Sequence, residues 1–401
     1  MAARLVAALV VGVARAWLHA PSTGLAPSVH RAPTAVSAAA VPGTAEAFVP
    51  GVSATGERVA VVGATGYIGR YVARECTRRG YPTTAVVRDA AKARETSGEW
   101  LGDADIVEAE AVDSETIAAA LKDAQVVICC LASRSGTKAD SWAVDNQASV
   151  NCLDALRANG QGRHFVLLSA FCVQKPELEF QKAKLATEAA LAAQSDVTYS
   201  VVRPTAFFKS VSGQVENVQT GAPFVYFDLG GGRSATCNPI AEADLAAAIV
   251  DCVADPARNS ATGDPIWNLG GPDAGYSMEA QGGLIADAIA AVDAAPRKEP
   301  WLLAVPIGLF DAIIGGFDWL AGLLDSDKLR DAAEFARIGR YYAVEDMLTT
   351  RDSEKYGTVT LLEHYERVAR DGQEYDPYTT VFGKLNSKKQ PGEDNLVGGP
   401  A

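Results

Sequence analysis

Three glycines spaced three residues apart, Gly63, Gly66 and Gly69, point most directly to chemistry in this chain. They follow the short apolar run of residues 58–62 and precede a segment whose apolar residues recur with helical spacing. So tight a turn requires residues without a Cβ, and the free N–H groups at the start of a helix stabilise a diphosphate. We therefore predict a dinucleotide site made by Gly63, Thr65, Gly66, Tyr67, Ile68 and Gly69.

A cation, Arg88, follows the second predicted strand, residues 83–87. Proteins specific for NAD usually carry Asp or Glu near this position, where it binds the ribose 2′-hydroxyl. A guanidinium instead pairs with a 2′-phosphate, so Arg88 favours NADPH as the cofactor; the alternative is a solvated surface arginine. Ala132 and Ser133, at the end of the fourth strand, are expected to line the cofactor from the carboxyl edge of the sheet.

Ser169 and Lys184 are the candidate catalytic residues, the first at the end of the fifth strand and the second on the helix that follows. The region resembles that of short-chain dehydrogenases, where a Ser is followed by Tyr-x-x-x-Lys, but Phe180 stands here at the tyrosine position. This departure is typical of the atypical branch that includes NmrA-like and isoflavone-reductase-like proteins. We expect Lys184 to orient the nicotinamide ribose and to relay a proton, unless it is a solvated helix lysine. Ser169 either hydrogen-bonds cofactor or substrate or is structural.

Apolar stretches near residues 58–63, 83–87, 126–131, 165–169 and 199–202 alternate with segments long enough for crossover helices. This alternation predicts an α/β fold, a Rossmann-type doubly wound parallel sheet. After about Gly271 the pattern changes, and residues 276–370, including the apolar stretch 301–324, are predicted to be mainly helical. We assign 55–275 to an NADP-binding domain, 276–385 to a helical substrate or lid region, and 386–401 to a flexible tail.

The composition excludes some classes of function. A net charge of −13 would repel phosphate backbones, so we expect no nucleic-acid partner. The seven cysteines show no CxxC spacing, which indicates free thiols in a reducing compartment and no protein-bound metal.

The first 50 residues have the composition of a targeting segment. An apolar run at 5–14 lies behind Arg4, and Ala14-Arg15-Ala16 is an A-x-A cleavage signal, so 1–16 reads as a signal peptide. Residues 17–50 are rich in Ala, Ser, Thr and Pro and resemble a plastid transit peptide. Together they predict the bipartite address of secondary plastids; the alternative is a mitochondrial or disordered leader.

Three stretches carry a closer resemblance: LSAFCVQKPELEFQKAKLATE (168–188), YSVVRPTAFFKSVSGQVE (199–216) and ARIGRYYAVEDML (336–348). They are similar to the plant-type divinyl chlorophyllide 8-vinyl-reductase family, and the resemblance extends over about residues 58–356. It implies reduction of the 8-vinyl group of divinyl chlorophyllide or protochlorophyllide to ethyl, with NADPH as donor, in the plastid. A vinyl group has no oxygen that needs a tyrosine acid, so the phenylalanine at position 180 is consistent with this reaction.

Candidate substrate residues lie in RPTAFFK (203–209), after the sixth strand. Phe207 and Phe208 either stack on the flat macrocycle or pack into the core, and Lys209 is expected near a propionate, with Arg203 beside it. The stretch 301–324 contains Asp311 and Asp318, so it does not predict a membrane span. Three alternatives remain for this stretch: it covers the pigment, it rests on a thylakoid or envelope surface, or it forms part of the core between the domains.

Two other functions fit the same glycines and Arg88. One is an isoflavone-reductase-like reduction of a different conjugated double bond, and the other is an NmrA-like redox sensor or plastid assembly factor that binds NADP(H) without catalysis. The retained Lys184 argues for catalysis. The oligomeric state is left open by the sequence.

Overall fold

The computed structural model of the protein describes residues 49–52, 54–324 and 327–373. The predicted signal peptide, nearly all of the predicted transit peptide and the predicted tail therefore lie outside the described residues, as do residues 374–385 of the predicted helical region.

A seven-stranded parallel sheet forms the centre of the molecule. Its strands are β1 (Val59–Val62), β2 (Thr83–Val87), β3 (Asp105–Glu108), β4 (Val126–Cys129), β5 (His164–Leu168), β6 (Thr198–Pro204) and β9 (Ile266–Leu269). They are ordered β3-β2-β1-β4-β5-β6-β9, so the direction of winding reverses between β1 and β4. Every residue of β1, β4 and β5 is buried, as expected for strands covered on both faces. The predicted Rossmann-type doubly wound fold is confirmed.

Helices cover both faces of this sheet. One face carries α1 (Tyr67–Arg78), α2 (Ala90–Leu101) and α8 (Glu242–Asp251), and the other carries α3 (Ser114–Ala120), α4 (Ser149–Ala158) and α5 (Glu179–Ala192). A π-helix, Ser141–Ala148, leads directly into α4. In α1 the apolar spacing noted in the sequence buries Ile68, Val72 and Cys76 against the sheet.

A second body of elements packs beyond the last strands. It comprises α6 (Phe208–Val211), α7 (Val215–Gln219), β7 (Phe224–Asp228), β8 (Thr236–Cys237), β10 (Tyr276–Ser277), α9 (Met278–Val292), β11 (Leu302–Pro306), α10 (Gly308–Leu324), α11 (Asp327–Val344) and α12 (Leu361–Asp371). β8 pairs with β10, and β7 with β11. Beyond residue 276 this body is mainly helical, as predicted for residues 276–370, but the start of the stretch 301–324 is strand β11, because residues 302–306 pair in parallel with 224–228. Within the described ranges, no helix combines the length and apolar character needed to cross a membrane.

Candidate active site

The glycine turn joins β1 to α1 in the geometry that a diphosphate requires. Gly63 has a φ of +80°, which only glycine adopts readily, and its carbonyl accepts a hydrogen bond from the Gly66 N–H at 2.8 Å. A Cβ on Gly69 would lie only 2.0 Å from the same carbonyl oxygen. Gly66 is the N-cap of α1 and has no side chain to cap it, and the first turn carries no acidic residue. The positive end of α1 is therefore available to an anion.

This turn lies at the crevice where the winding of the sheet reverses. A Cβ on Gly63 would lie 3.1 Å from the Cys130 carbonyl oxygen, so the turn packs directly against the segment that follows β4. Two residues farther on, Ala132 is exposed and Ser133 is half-buried, and the Ser133 N–H donates to Asp145 at 3.3 Å. The predicted Gly63–Gly69 and 132–133 groups therefore meet at the carboxyl edge, where dinucleotides bind in this fold. Thr65 and Tyr67 are half-buried there, whereas the side chain of Ile68 is buried in the core.

Arg88 directly follows β2, the strand beside β1, and its side chain is exposed. The neighbouring carboxylate of Asp89 caps α2 by accepting the Lys92 N–H at 2.8 Å. The nearest acid is thus engaged with its own helix, and the exposed guanidinium is the group presented at this strand end. That arrangement suits a 2′-phosphate better than a free ribose hydroxyl.

Lys184 is not a solvated lysine but a buried cation, 6% exposed. Its Nζ donates to the carbonyl oxygens of Leu131 at 3.3 Å and Leu168 at 3.2 Å, the residues just after β4 and at the end of β5. It also lies 3.1 Å from Oδ1 of Asp145, which is 1% exposed. Asp145 comes from the π-helix and was not predicted as a site residue. Its signal in the sequence is a lone acid within the otherwise uncharged segment 141–150.

Ser169 and Arg203 converge on a second unpredicted acid, Glu188 of α5. The Ser169 hydroxyl donates to Glu188 Oε1 at 2.5 Å, and the Arg203 guanidinium forms an ion pair with the same carboxylate. All three are buried or nearly so. The structure therefore favours the structural alternative for Ser169, and it places Arg203 within this network rather than on an open surface.

The last three side chains of the 203–209 loop lie in different environments. Phe208 is 1% exposed and packs 4.8 Å from the His364 ring, which favours the core alternative for that side chain. Phe207 is half-buried beside the Tyr67 ring, and the Lys209 ammonium lies 4.7 Å from the centre of the same ring. The loop thus reaches the start of α1 through Phe207 and Lys209.

The side chain at the missing tyrosine position, Phe180, lies in an apolar cluster with parts of α11. Tyr341 of α11 donates its hydroxyl to the carbonyls of Cys172 at 2.9 Å and Lys175 at 3.0 Å. Cys172 is buried in this cluster, and its burial raises the pKa of its thiol. Helix α11 therefore covers the segment that follows β5.

A cavity of about 460 Å³ lies beside this cluster, between residues 177–178, α10 and α11. Two ion pairs cross it, from Arg337 to Asp318 at 2.7 Å and from Arg340 to Asp311 at 2.5 Å. Among the described residues, no group of three or more His, Cys, Asp or Glu side chains is arranged to hold a metal ion.

Comparison with known proteins agrees with the fold and identifies the family. A family described as NAD(P)H-binding matches residues 63–256. The chain is 44% identical over 335 residues to the chloroplastic divinyl chlorophyllide a 8-vinyl-reductase of Oryza sativa subsp. indica, covering 78% of this chain and 79% of the relative. The enzyme of the same name from Arabidopsis thaliana is 41% identical, with coverages of 78% and 77%. Among solved structures, an Escherichia coli NADPH-dependent quinone oxidoreductase complexed with NADPH has 17% identity and a TM-score of 0.54, with coverages of 77% and 99%, a likeness of fold.

Proposed function

The chain belongs to the divinyl chlorophyllide a 8-vinyl-reductase family, and we propose that it reduces the 8-vinyl group of divinyl chlorophyllide or protochlorophyllide to ethyl with NADPH. The matches to these relatives cover 78% to 84% of this chain, more than the cofactor domain alone, which supports this function over reduction of another conjugated bond and over a non-catalytic sensor. The relatives are chloroplastic, and this chain is a plastid protein.

The residues at the carboxyl edge fit NADPH. The cofactor supplies a hydride when bound; the chain supplies the glycine turn for the diphosphate and Arg88 for the 2′-phosphate. We assign Lys184 to the nicotinamide ribose, because its ammonium lies at the ends of β4 and β5, beside residues 131–133. Its bond to Asp145 holds the ammonium in one position.

One observation carries the choice of a carbon–carbon double bond over a carbonyl. At the two positions where short-chain dehydrogenases bind a carbonyl oxygen, this chain has a phenylalanine, Phe180, and a serine whose hydroxyl donates to Glu188. The carboxyl edge of the sheet retains the lysine that we assign to the cofactor. At these two positions it has no hydroxyl that could donate to an oxygen of the substrate. A vinyl group needs none.

On the substrate side we assign Phe207 and Lys209 to the pigment, since both lie where the 203–209 loop meets the start of α1. Phe207 would stack on the macrocycle and Lys209 would pair with a propionate. Phe208 and Arg203 act from within the fold, by packing and by the Glu188 ion pair, to hold this loop.

The test is to incubate the purified chain with NADPH and divinyl chlorophyllide and to separate the pigments by chromatography. We expect monovinyl product in proportion to the NADPH consumed. Divinyl protochlorophyllide and an isoflavone run in parallel distinguish the tetrapyrrole substrates from the alternative reductase. Binding of NADPH without turnover of any of them would instead indicate the non-catalytic sensor.

We also propose that residues 1–16 and 17–50 act in sequence as signal and transit peptide for a secondary plastid. The apolar run and A-x-A site precede an Ala- and Ser-rich segment in the required order. Fusions of residues 1–50 and 17–50 to a fluorescent protein test this in an alga with secondary plastids: the first should reach the plastid and the second should stay in the cytosol. Plastid import of the shorter fusion would contradict the bipartite reading.

Finally, we propose that α10 rests on a thylakoid or envelope surface. Trp319, Leu323 and Leu324 are between 64% and 68% exposed, and the two aspartates of the helix are paired with arginines of α11. An apolar helix end with its charges paired suits the lipid interface. Leu323→Ser should reduce co-sedimentation with galactolipid vesicles, whereas Val112→Ser, at an exposed apolar residue of the other region, should not.

A further inference from the structure

Reduction of a vinyl group needs a proton as well as a hydride, and Phe180 supplies none. We propose that the phenol of Tyr342, carried by α11, is the acid that delivers this proton. The inference rests on the proposed function, because it assigns a donor for that reaction.

Helix α11 reaches the loops that follow both β4 and β5. A Cβ on Gly136, in the loop after β4, would lie 2.7 Å from Cδ1 of Ile338, so the helix packs closely on that loop. One turn later, Tyr341 is anchored through its hydroxyl to the carbonyls of residues 172 and 175, after β5. Residues four apart share a face of a helix, so Tyr342 lies on the face of Ile338.

The two adjacent phenols are in different situations. Tyr341 is 2% exposed and its proton is committed to two carbonyls. The Tyr342 hydroxyl has only a weak contact, 4.0 Å from the sulfur of Cys172. A phenol, with an ordinary pKa of about 10, is protonated at neutral pH. Its proton is therefore both present and uncommitted to a strong acceptor.

Cys172 connects this phenol with the cofactor edge. It lies four residues beyond Leu168, whose carbonyl binds the Lys184 ammonium, and the charge of Lys184 acts on the thiol by lowering its pKa against the larger effect of burial. The Tyr342 hydroxyl and the Lys184 ammonium thus both act on Cys172. With Lys184 assigned to the cofactor, the reacting vinyl group would lie beside Tyr342.

The proposed step balances. Hydride from NADPH forms a C–H bond at the terminal vinyl carbon, and the π electrons move towards the inner carbon and the conjugated ring. That inner carbon takes the Tyr342 proton as the O–H bond breaks, leaving ethyl and a tyrosinate. Because the side chain is 45% exposed, water can return the proton after release of the product.

Two substitutions at position 342 distinguish a proton donor from a residue that only packs. Tyr342→Phe keeps the ring and removes the proton, so we expect turnover of divinyl chlorophyllide to fall at least about 100-fold. Tyr342→His changes the packing but retains a donor and should recover part of that loss. Tyr199→Phe, the same change near the amino end of β6, is the matched control and should keep the wild-type rate. NADPH affinity by fluorescence titration and the melting temperature should not change in Tyr342→Phe.

The outcomes are distinct. Turnover by Tyr342→Phe within about threefold of wild type overturns the assignment, as does a His variant no faster than the Phe variant. A loss of NADPH affinity or of melting temperature in Tyr342→Phe that matches the loss of rate would also overturn it, because the residue would then be structural. If the wild-type chain itself forms no monovinyl product, the proposed function fails instead.

Discussion

Replacing Gly69 with alanine tests whether the β1–α1 turn is a diphosphate cradle. The new Cβ would lie 2.0 Å from the Gly63 carbonyl oxygen and 2.8 Å from its carbonyl carbon. Both are backbone atoms, so α1 must move away from the turn by about 1.4 Å to restore ordinary contact. A shift of that size removes a hydrogen bond with an optimum near 2.9 Å, and a charge-assisted bond contributes about 1.5–3 kcal/mol. We therefore expect NADPH to bind about 10- to 100-fold more weakly.

The assay is titration of NADPH fluorescence with each variant. Gly98→Ala is the matched control, because Gly98 lies within α2 with nothing within 4 Å of its Cβ position. That change should leave NADPH affinity unaltered and stabilise the fold by about 0.5–1 kcal/mol. If Gly69→Ala binds NADPH as tightly as Gly98→Ala, the close contact does not shape a cofactor site, and the reasoning from this geometry is refuted.

Three further predictions concern single side chains. Arg88→Ala should weaken NADPH binding about 10- to 100-fold and leave NADH binding unchanged in parallel titrations, since it removes only the partner of the 2′-phosphate. Asp145→Asn should lower the free energy of unfolding by about 3 kcal/mol in urea titration, because it leaves the buried Lys184 cation unpaired; an unchanged midpoint would contradict this. Burial lowers the pKa of His164 to about 4, so only the unfolded chain binds a proton at this residue as the pH falls below about 6.5. This one group should therefore lower the free energy of unfolding by about 2.5 kcal/mol between pH 7 and 4.5. His164→Gln should reduce the pH dependence of the free energy of unfolding.

The cofactor half of the site could be predicted because its signals are local. The glycines, the strand before them and the helix after them are contiguous, and β1 and α1 pack as their apolar spacing requires. Arg88 follows from the rule that parallel strands end at one edge, so residues just after different strands meet there. Lys184 follows from the resemblance to the short-chain dehydrogenase pattern. Distance along the chain does not limit these predictions, since the sheet supplies the long-range geometry.

The partners of those residues could not be predicted, because each depends on a contact distant in sequence. Asp145 meets Lys184 across 39 residues, and nothing in the segment 141–150 indicates a π-helix. The 301–324 stretch is mostly apolar, so its spacing does not separate strand from helix. β11 forms because residues 224–228 are available to pair with it. Phe207 and Phe208 are adjacent and chemically identical, and only the core around His364 decides that the second is buried.

A separation of the cofactor lysine from the proton donor explains how a site of the short-chain dehydrogenase type can reduce a vinyl group. In the short-chain dehydrogenase pattern the acid and the lysine share one helix, so the donor is fixed relative to the cofactor. Here α5 keeps Lys184, while the proposed donor, Tyr342, belongs to α11, which is held by the bonds of Tyr341 to the segment after β5. The donor is then carried by an element separate from the one that carries the cofactor lysine. Changes in α11 should therefore alter the protonation step and the choice of pigment without changing NADPH affinity.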